Sequence, residues 1–355
     1  MVLPSFADTL KTMSSQKWLY LAIPILLLVL PIPVESQSAV VVPQIAGSVP
    51  IRESAKPPFP SFYFTEYYKT YEAQEAARPY WAASETEVNN QVRIRQETTS
   101  MLLNNDILAF YGHPLSRNMG ILGRYPIAEL DARLTKLAGE YAAVSGGRNV
   151  RKAFYIIFGT VWPEGEIGII RESVLQEWIQ YSLEHDILVF IDHQIGRYDP
   201  IASLKRMLPY LRYPNVHLAL DPEWRTAKPM KEIGTVTAAE LNTAQQVMED
   251  YMLENHIPGE RMLVIHQFKP WMIENRNNVR AGRDKVRLIH CADGFGNPAQ
   301  KRAAYASNAE ARNIPLKSFK LFYNFEIPGA GYDAPLLSPS QVYGLNPRPY
   351  LIMYQ

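Results

Sequence analysis

The sequence predicts an α/β protein in which eight parallel strands close into a (β/α)8 barrel of the TIM type. From residue 106 onward, short β-type runs alternate with helical patterns, and eight such runs are separated by seven helical segments. Strict alternation of this kind favours parallel strands, and eight of them favour a closed barrel over an open sheet. The 355 residues accommodate one barrel of about 250 residues together with an N-terminal extension.

Each element follows from its local pattern. The predicted strands are residues 107–111, 154–160, 187–192, 216–221, 262–267, 286–291, 319–324 and 350–354, and the predicted helices are residues 126–144, 171–185, 200–211, 237–256, 271–279, 298–312 and 339–345. Capping boxes support two of these helices, Thr237 with Glu240 and Ser338 with Gln341. A further helix over residues 84–103 is expected to cover the place of the missing eighth helix.

The segment before the barrel has two parts. Residues 1–38 carry Lys11 and Lys17 ahead of an uncharged run over residues 18–34, which predicts either a cleaved signal peptide or a retained membrane anchor. Residues 39–83 are rich in proline and tyrosine and predict a linker, so the barrel domain spans residues 84–355. We therefore expect an exported protein, either secreted or tethered to the membrane.

Composition excludes some classes of function. The 36 Lys and Arg residues nearly balance the 35 Asp and Glu residues, for a net charge of +1, and no basic run is present, so nucleic acid is not an expected partner. The single cysteine, Cys291, lies in a predicted strand, which favours a small buried thiol.

The stretch HLALDPEW, residues 217–224, predicts where the chemistry lies. Counting by two places Ala219, Asp221 and Glu223 on one face of the strand, which in a barrel points inward. Chemistry in such barrels gathers at the carboxyl ends of the strands. Polar and aromatic residues near those ends form the candidate site: His113, Trp162, Asp192, His193, Gln194, Asp221, Glu223, Trp224, His266, Gln267, Asp293, Asn324 and Glu326.

A first hypothesis is hydrolysis of a carbohydrate or other small polar substrate by paired carboxyl groups, without a cofactor. Glu223 is assigned as general acid/base and Glu326 as nucleophile, with Asp221 assisting, while the other strand-end residues bind substrate. An acid on strand four and a nucleophile on strand seven resemble the placement in retaining barrel glycosidases. Those enzymes usually carry asparagine before the acid, whereas this chain has Pro222.

Two alternatives remain open. A second hypothesis is a metal-dependent hydrolase, although no HxH or HExxH spacing is present. The candidate ligands for its divalent metal are His113, Asp192, His193, His266, His290 and Asp293. The third hypothesis is a non-catalytic barrel that binds a ligand or a cell-envelope polymer.

The chain also resembles a group of exported bacterial barrel proteins without an assigned activity. The resemblance lies in the runs ILAFYGHPLSRNMGILG, VHLALDPEW, VIHQF, DGFG and PLLSP with LIMYQ, and it covers roughly residues 106–355. It implies the barrel fold and export, and it implies no reaction.

Overall fold

The structure is a computed structural model that describes residues 101–355. Its strands are β1 (Asn105–Gly112), β2 (Asn149–Val161), β3 (Ile167–Ile169), β4 (Leu188–His193), β5 (Val216–Leu220), β6 (Val236–Thr237), β7 (Arg261–Gln267), β8 (Ile273–Glu274), β9 (Val286–Ala292), β10 (Leu316–Leu321) and β11 (Leu351–Tyr354). Its α-helices are α1 (Ile127–Ala142), α2 (Glu172–Glu184), α3 (Pro200–Met207), α4 (Ala238–Glu254), α5 (Pro298–Ala309) and α6 (Pro339–Tyr343).

Eight of the strands form a closed parallel barrel, which confirms the predicted fold. The neighbours run β1, β2, β4, β5, β7, β9, β10 and β11, and β1 pairs in parallel with both β2 and β11, so the sheet closes on itself. The short strand β3 adds an antiparallel hairpin to the end of β2, and β6 with β8 makes a separate two-stranded sheet. Because all eight barrel strands are parallel, their carboxyl ends meet at one mouth.

Alternation along each strand separates two apolar cores. On β2, Ala153, Tyr155 and Ile157 pack inside the barrel, whereas Phe154, Ile156 and Phe158 belong to the larger core between barrel and helices. The same alternation on β5 places His217 and Ala219 inside and Leu218 outside, as the HLALDPEW pattern predicts.

The helix predicted over residues 271–279 is wrong. Two 3-10 turns, Pro270–Met272 and Arg276–Asn278, flank the two-residue strand β8 instead. Asn275 between them has a left-handed backbone with φ of 53°, a conformation that no α-helix of L-residues sustains. The connection after β7 therefore pairs with β6 rather than covering the barrel with a full helix.

The strand predicted over residues 319–324 is displaced along the sequence. Regular pairing in β10 covers Leu316–Leu321. The next backbone N–H, that of Phe322, donates to the carboxylate of Asp333, and within residues 322–326 only the Tyr323 N–H still donates to a neighbouring strand end, at the carbonyl oxygen of Gln355. Residues 322–326 consequently form a loop, which decides the position of Glu326.

Several expectations concern residues outside the described part of the chain. The signal or anchor over residues 1–38, the linker over residues 39–83 and most of the covering helix over residues 84–103 lie there, and export stays a prediction. Within residues 101–355, no helix is both long enough and apolar enough to cross a bilayer. Cys291 is a free, fully buried thiol inside β9, as expected.

An ion-pair network joins three neighbouring strands at the end of the barrel opposite the mouth. Asp106 in β1 is fully buried and accepts hydrogen bonds from Arg148 Nε at 2.8 Å and from Arg348, which precede β2 and β11 respectively. Arg148 also donates to the carbonyl oxygens of Leu103 and Asn105. The network thus links β1 to both of its partners in the closed sheet.

Asp106→Asn is expected to lower the free energy of unfolding by about 2–3 kcal/mol, because two arginines then lack their buried counter-ion. Urea denaturation measures the change. Asp186→Asn is the matched control, since the Asp186 side chain is 82% exposed and its pair with Arg151 is worth about 0.5 kcal/mol or less. Equal effects of the two substitutions would contradict a special role for the buried network.

Candidate active site

A cluster of charged and phenolic side chains fills the mouth end of the barrel interior. Six barrel strands contribute, either from their last inward positions or from the residue that follows. The members are Tyr111, Asp192, Asp221, His266, Asp293 and Lys320, and each is at most 7% exposed. This cluster, called here the mouth cluster, lies directly above the apolar layers of the barrel interior.

Asp293 is the member with the strongest ionic contacts. It accepts a hydrogen bond from Lys320 Nζ at 3.1 Å and lies 2.7 Å from His266 Nδ1 through the same oxygen, Oδ2. On the other side of the imidazole, His266 Nε2 is 2.8 Å from the hydroxyl of Tyr155. The Lys320 ammonium also lies 3.8 Å from the centre of the Tyr111 ring, a cation–π contact.

These contacts determine the charge of the three groups. Burial alone would raise the pKa of Asp293, but Lys320 and His266 outweigh it and hold that pKa well below its usual range. Burial likewise opposes charge on His266 and Lys320, yet nearby carboxylates, led by Asp192 for His266 and by Asp293 for Lys320, raise both pKa values. At neutral pH the cluster therefore contains two cations and the carboxylate of Asp293.

Three more carboxyl groups compete for these two cations. Asp192 accepts a hydrogen bond from the Tyr111 hydroxyl at 2.9 Å and lies 3.7 Å from His266 Nε2, and burial raises its pKa. Burial, together with neighbouring carboxylates, raises the pKa of Asp221 to about 7 and that of Glu223 to about 8. Because acids outnumber cations in a site of low dielectric, some of the carboxyls keep their protons.

Glu223 is the acid of this group that reaches the surface. It lies in the 3-10 turn Pro222–Trp224 directly after β5, is partly exposed, and donates its backbone N–H to Asp221 Oδ1 at 3.3 Å. Its carbonyl oxygen accepts from Gly234 at 2.7 Å, where a Cβ would overlap the backbone of residues 222 and 225. The turn is thereby held against the following loop, and Glu223 sits at the rim of the mouth cluster.

The structure does not bring Glu326 into the mouth cluster. Glu326 is exposed in the loop after β10, has a left-handed backbone with φ of 57°, and donates its N–H to the side chain of Asn324 at 2.9 Å. The charged groups that most affect Glu223 are Asp221, Asp293, Lys320 and His266. The expected pairing of Glu223 with Glu326 depended on a strand that ends three residues earlier than predicted.

His193 and Gln194 lie outside the mouth cluster. The His193 ring packs at 5.9 Å from Phe158 in the outer core, and burial lowers its pKa to about 4. A Cβ on Gly159 would come within 2.9 Å of this ring, so glycine lets β2 approach it. Gln194 Oε1 accepts the backbone N–H of Val161 at 2.9 Å, which anchors the end of β2.

Gln267 likewise points away from the barrel interior. Its side chain lies 2.6 Å from His290 Nε2 and accepts from Arg276 at 3.1 Å. Lys317 completes this outer polar group by donating to the carbonyl oxygens of Asn308 at 2.7 Å and Ala311 at 2.9 Å, near the end of α5. The group donates hydrogen bonds to backbone carbonyl oxygens near the end of α5, so it stabilises the fold beside β7 and β9.

The predicted metal ligands are divided between the two faces of the sheet. His266 points inward, whereas His193 and His290 point outward, so they cannot share one ion with it. Within residues 101–355, no three His, Cys, Asp or Glu side chains form a group suited to hold a metal ion.

Aromatic residues flank the mouth. Trp162 follows β2 and is 57% exposed, and Trp224 follows β5 and is partly buried. A cleft of about 190 Å³ lies beside the half-buried His113 and Trp162, and a smaller one of about 40 Å³ includes Asn324. Neither the carboxyls of the mouth cluster nor Glu223 line these two clefts, and Glu223 is more exposed than the cluster's three aspartates.

Sequence reasoning did not select Tyr155 or Lys320 for the site. Both occupy inward positions of their strands, and a period of two marks them, since Tyr155 lies between the inward residues Ala153 and Ile157. A lysine on the inward face of a barrel strand predicts a charged site inside the barrel, because a buried ammonium requires an acidic partner.

No family model matches the chain, and no curated protein matches it. Among solved structures, an oxaloacetate acetylhydrolase is 13% identical over 74% of this chain and 78% of its own, with a TM-score of 0.40. The GH18 chitinase ChiB of Flavobacterium johnsoniae is 10% identical over 71% and 87%, with a TM-score of 0.38. A GH5 protein from Streptomyces cattleya bound to Manβ1-4GlcNAc is 11% identical over 70% of each chain, with a TM-score of 0.39.

Likeness at this level assigns no activity to the chain. The strand pairings and the mouth cluster define its class by themselves: a (β/α)8 barrel with an acid-rich polar site at the carboxyl ends of its strands.

Asp221→Asn is expected to stabilise the protein more at pH 8 than at pH 4. The pKa of Asp221 is about 7 in the folded state against an ordinary value of 3.8, so the folded state binds more protons between these pH values. Stability then falls as pH rises through that window, and asparagine removes this loss, on the order of 4 kcal/mol. Urea denaturation at both pH values measures it, with Asp186→Asn as the control, and a pH-independent difference would contradict the raised pKa.

Proposed function

We propose that the protein is a hydrolase of carbohydrates in which Glu223 is the general acid. The observation that carries the proposal is the partly exposed carboxyl of Glu223 at the rim of a buried cluster that holds three acids and two cations. Glycoside hydrolysis requires a carboxylic acid that keeps its proton at the working pH, together with a second carboxyl group nearby.

The environment of Glu223 suits the role of acid. Burial and the neighbouring Asp221 raise its pKa to about 8, so the carboxyl is protonated at neutral pH and can protonate the oxygen of a leaving group. Its position after β5 at the mouth also matches the place where barrel enzymes hold reacting groups.

Asp221 is the carboxyl that raises the pKa of Glu223 most. It lies two residues before Glu223, accepts that residue's N–H and has a pKa of about 7, so its carboxylate forms at a lower pH than that of Glu223. In the proposed reaction, Glu223 gives its proton to the glycosidic oxygen as the bond to the anomeric carbon breaks. The carboxylate of Asp221 stabilises the positive charge that develops on that carbon. Water then adds to the carbon and gives one proton to the Glu223 carboxylate, which restores the acid.

Lys320 and His266 serve this arrangement as fixed charges. Lys320 remains an ammonium because Asp293 raises its pKa, which argues against an amine nucleophile. His266 and Lys320 together hold Asp293 ionised, so Asp293 stays an anion while Asp221 and Glu223 carry the exchangeable protons.

A non-catalytic binding barrel is the second candidate. The observation in its favour is that Asp192, Asp221 and His266 are at most 2% exposed and line neither cleft at the mouth. Binding of sugars without any turnover that depends on Glu223 would favour this candidate over the hydrolase.

Glu223→Gln is expected to lower kcat at least about 100-fold, because the amide cannot donate the required proton. Release of reducing ends from a panel of soluble glycans and aryl glycosides measures the rate. Glu326→Gln is the matched control and should retain wild-type turnover, since Glu326 is exposed in a loop apart from the cluster. Loss of turnover in Glu326→Gln with activity retained in Glu223→Gln would overturn the assignment.

Turnover should follow a bell-shaped pH profile with its maximum between about 7 and 8. The active form requires Asp221 ionised and Glu223 protonated, and these groups have pKa values of about 7 and about 8. As a coupled pair they define the two limbs of the profile. The dependence of kcat/KM on pH tests this, because it reports the groups of the free enzyme, and a value that rises steadily from pH 8 to pH 10 would exclude Glu223 as the acid.

A further inference from the structure

The larger cleft at the barrel mouth combines an aromatic wall with hydroxyl groups. It has a volume of about 190 Å³ and opens between the loop after β1 and the β2–β3 hairpin. Its lining includes the apolar side chains of Leu115, Met119 and Trp162 and the polar side chains of His113, Ser116 and Thr160. The volume is below the roughly 300 Å³ typical of sites for drug-sized ligands, so it suits a single small ring.

The cleft is uncharged at neutral pH. None of its lining residues is Asp, Glu, Lys or Arg, and burial lowers the pKa of His113. The Nδ1 atom of His113 accepts the N–H of Leu115 at 3.1 Å, which leaves the proton of the neutral ring on Nε2 as a hydrogen-bond donor. The buried hydroxyl oxygen of Thr160 has no partner among the described residues. These features suit a neutral ligand that carries hydroxyl groups.

The hairpin determines where the Trp162 ring lies. A Cβ built on Gly168 would overlap the indole nitrogen of Trp162, so the ring rests directly on the glycine backbone across from it. Trp162 is nevertheless 57% exposed, which is a large apolar surface left open beside polar groups. An aromatic face of this kind packs against the C–H face of a sugar ring.

We propose that this cleft is a distal subsite that binds one neutral sugar ring of a longer glycan. The proposal rests on the function proposed above and extends it by naming the substrate class, a neutral oligosaccharide or polysaccharide. Thr160 belongs to β2 and Glu223 follows β5, and β4 lies between these strands in the barrel, so two strand spacings, about 10 Å, separate their positions around the mouth. A single sugar at the reacting carboxyls would leave the cleft empty, whereas a chain of several residues reaches it.

The test measures binding of neutral oligosaccharides from mono- to hexasaccharide in the glucan, mannan and N-acetylchitin series by calorimetry. The full chain carrying Glu223→Gln serves as the parent, so that no ligand is consumed. Affinity should rise with chain length, and Trp162→Ala should weaken binding of the longest ligand about tenfold while leaving monosaccharide binding unchanged. Trp271→Ala is the matched control, because Trp271 is a 50% exposed tryptophan outside the cleft.

A second pair of variants tests the position of the ring without removing it. Gly168→Ala displaces the Trp162 indole and should weaken binding in the same direction, whereas Gly282→Ala, which meets no atom within 4 Å, should have no effect. Absence of binding across all three series, or equal losses in Trp162→Ala and Trp271→Ala, would overturn the subsite.

The outcomes for the subsite and for the proposed function are separable. Binding that depends on Trp162, without any turnover that depends on Glu223, supports the subsite and refutes the hydrolase. Turnover that depends on Glu223 with KM unchanged in Trp162→Ala supports the hydrolase and refutes the subsite.

Discussion

The contact of Asp293 with Lys320 and His266 is the interaction on which the mouth of the barrel depends. In a closed parallel barrel every second residue faces an interior without solvent, where an unpaired charge is strongly unfavourable. One aspartate oxygen receives both cationic groups, and Tyr155 contacts the remaining ring nitrogen of His266. This arrangement lets a layer of ionisable side chains replace the apolar layers found deeper in the barrel.

The same contact determines which of the other acids keep their protons. Because both Lys320 and His266 contact Asp293, the remaining acids have fewer cationic partners. Burial therefore raises the pKa values of Asp192, Asp221 and Glu223. Glu223 differs from the others by its position in the turn after β5, where it is partly exposed. A retained proton and access to the surface coincide at this residue, which is why it is the one assigned the chemical role.

Local patterns predicted much of the fold and part of the site. The capping boxes at Thr237 and Ser338 begin α4 and α6, and the alternation through Asp221 matches its inward position. The helix over residues 271–279 failed because its apolar spacing did not reveal the left-handed Asn275. Glu326 was misplaced because the β-type run through residue 324 continues past Leu321, where a hydrogen bond to Asp333 diverts the backbone.

The sequence by itself determined the alternation of strands and helices, the inward face of most strands and the gathering of polar residues at the carboxyl ends. These properties depend on residues a few positions apart, so a linear pattern contains them. Only the tertiary structure decided which polar residues meet, since Tyr111 contacts Asp192 across 81 positions and Tyr155 contacts His266 across 111. It also decided that His193 and Gln267 face the outer core and that Asp221, rather than Glu326, is the carboxyl beside Glu223. The physical reason is that such contacts depend on strand register and on where each strand ends, which long-range pairing determines.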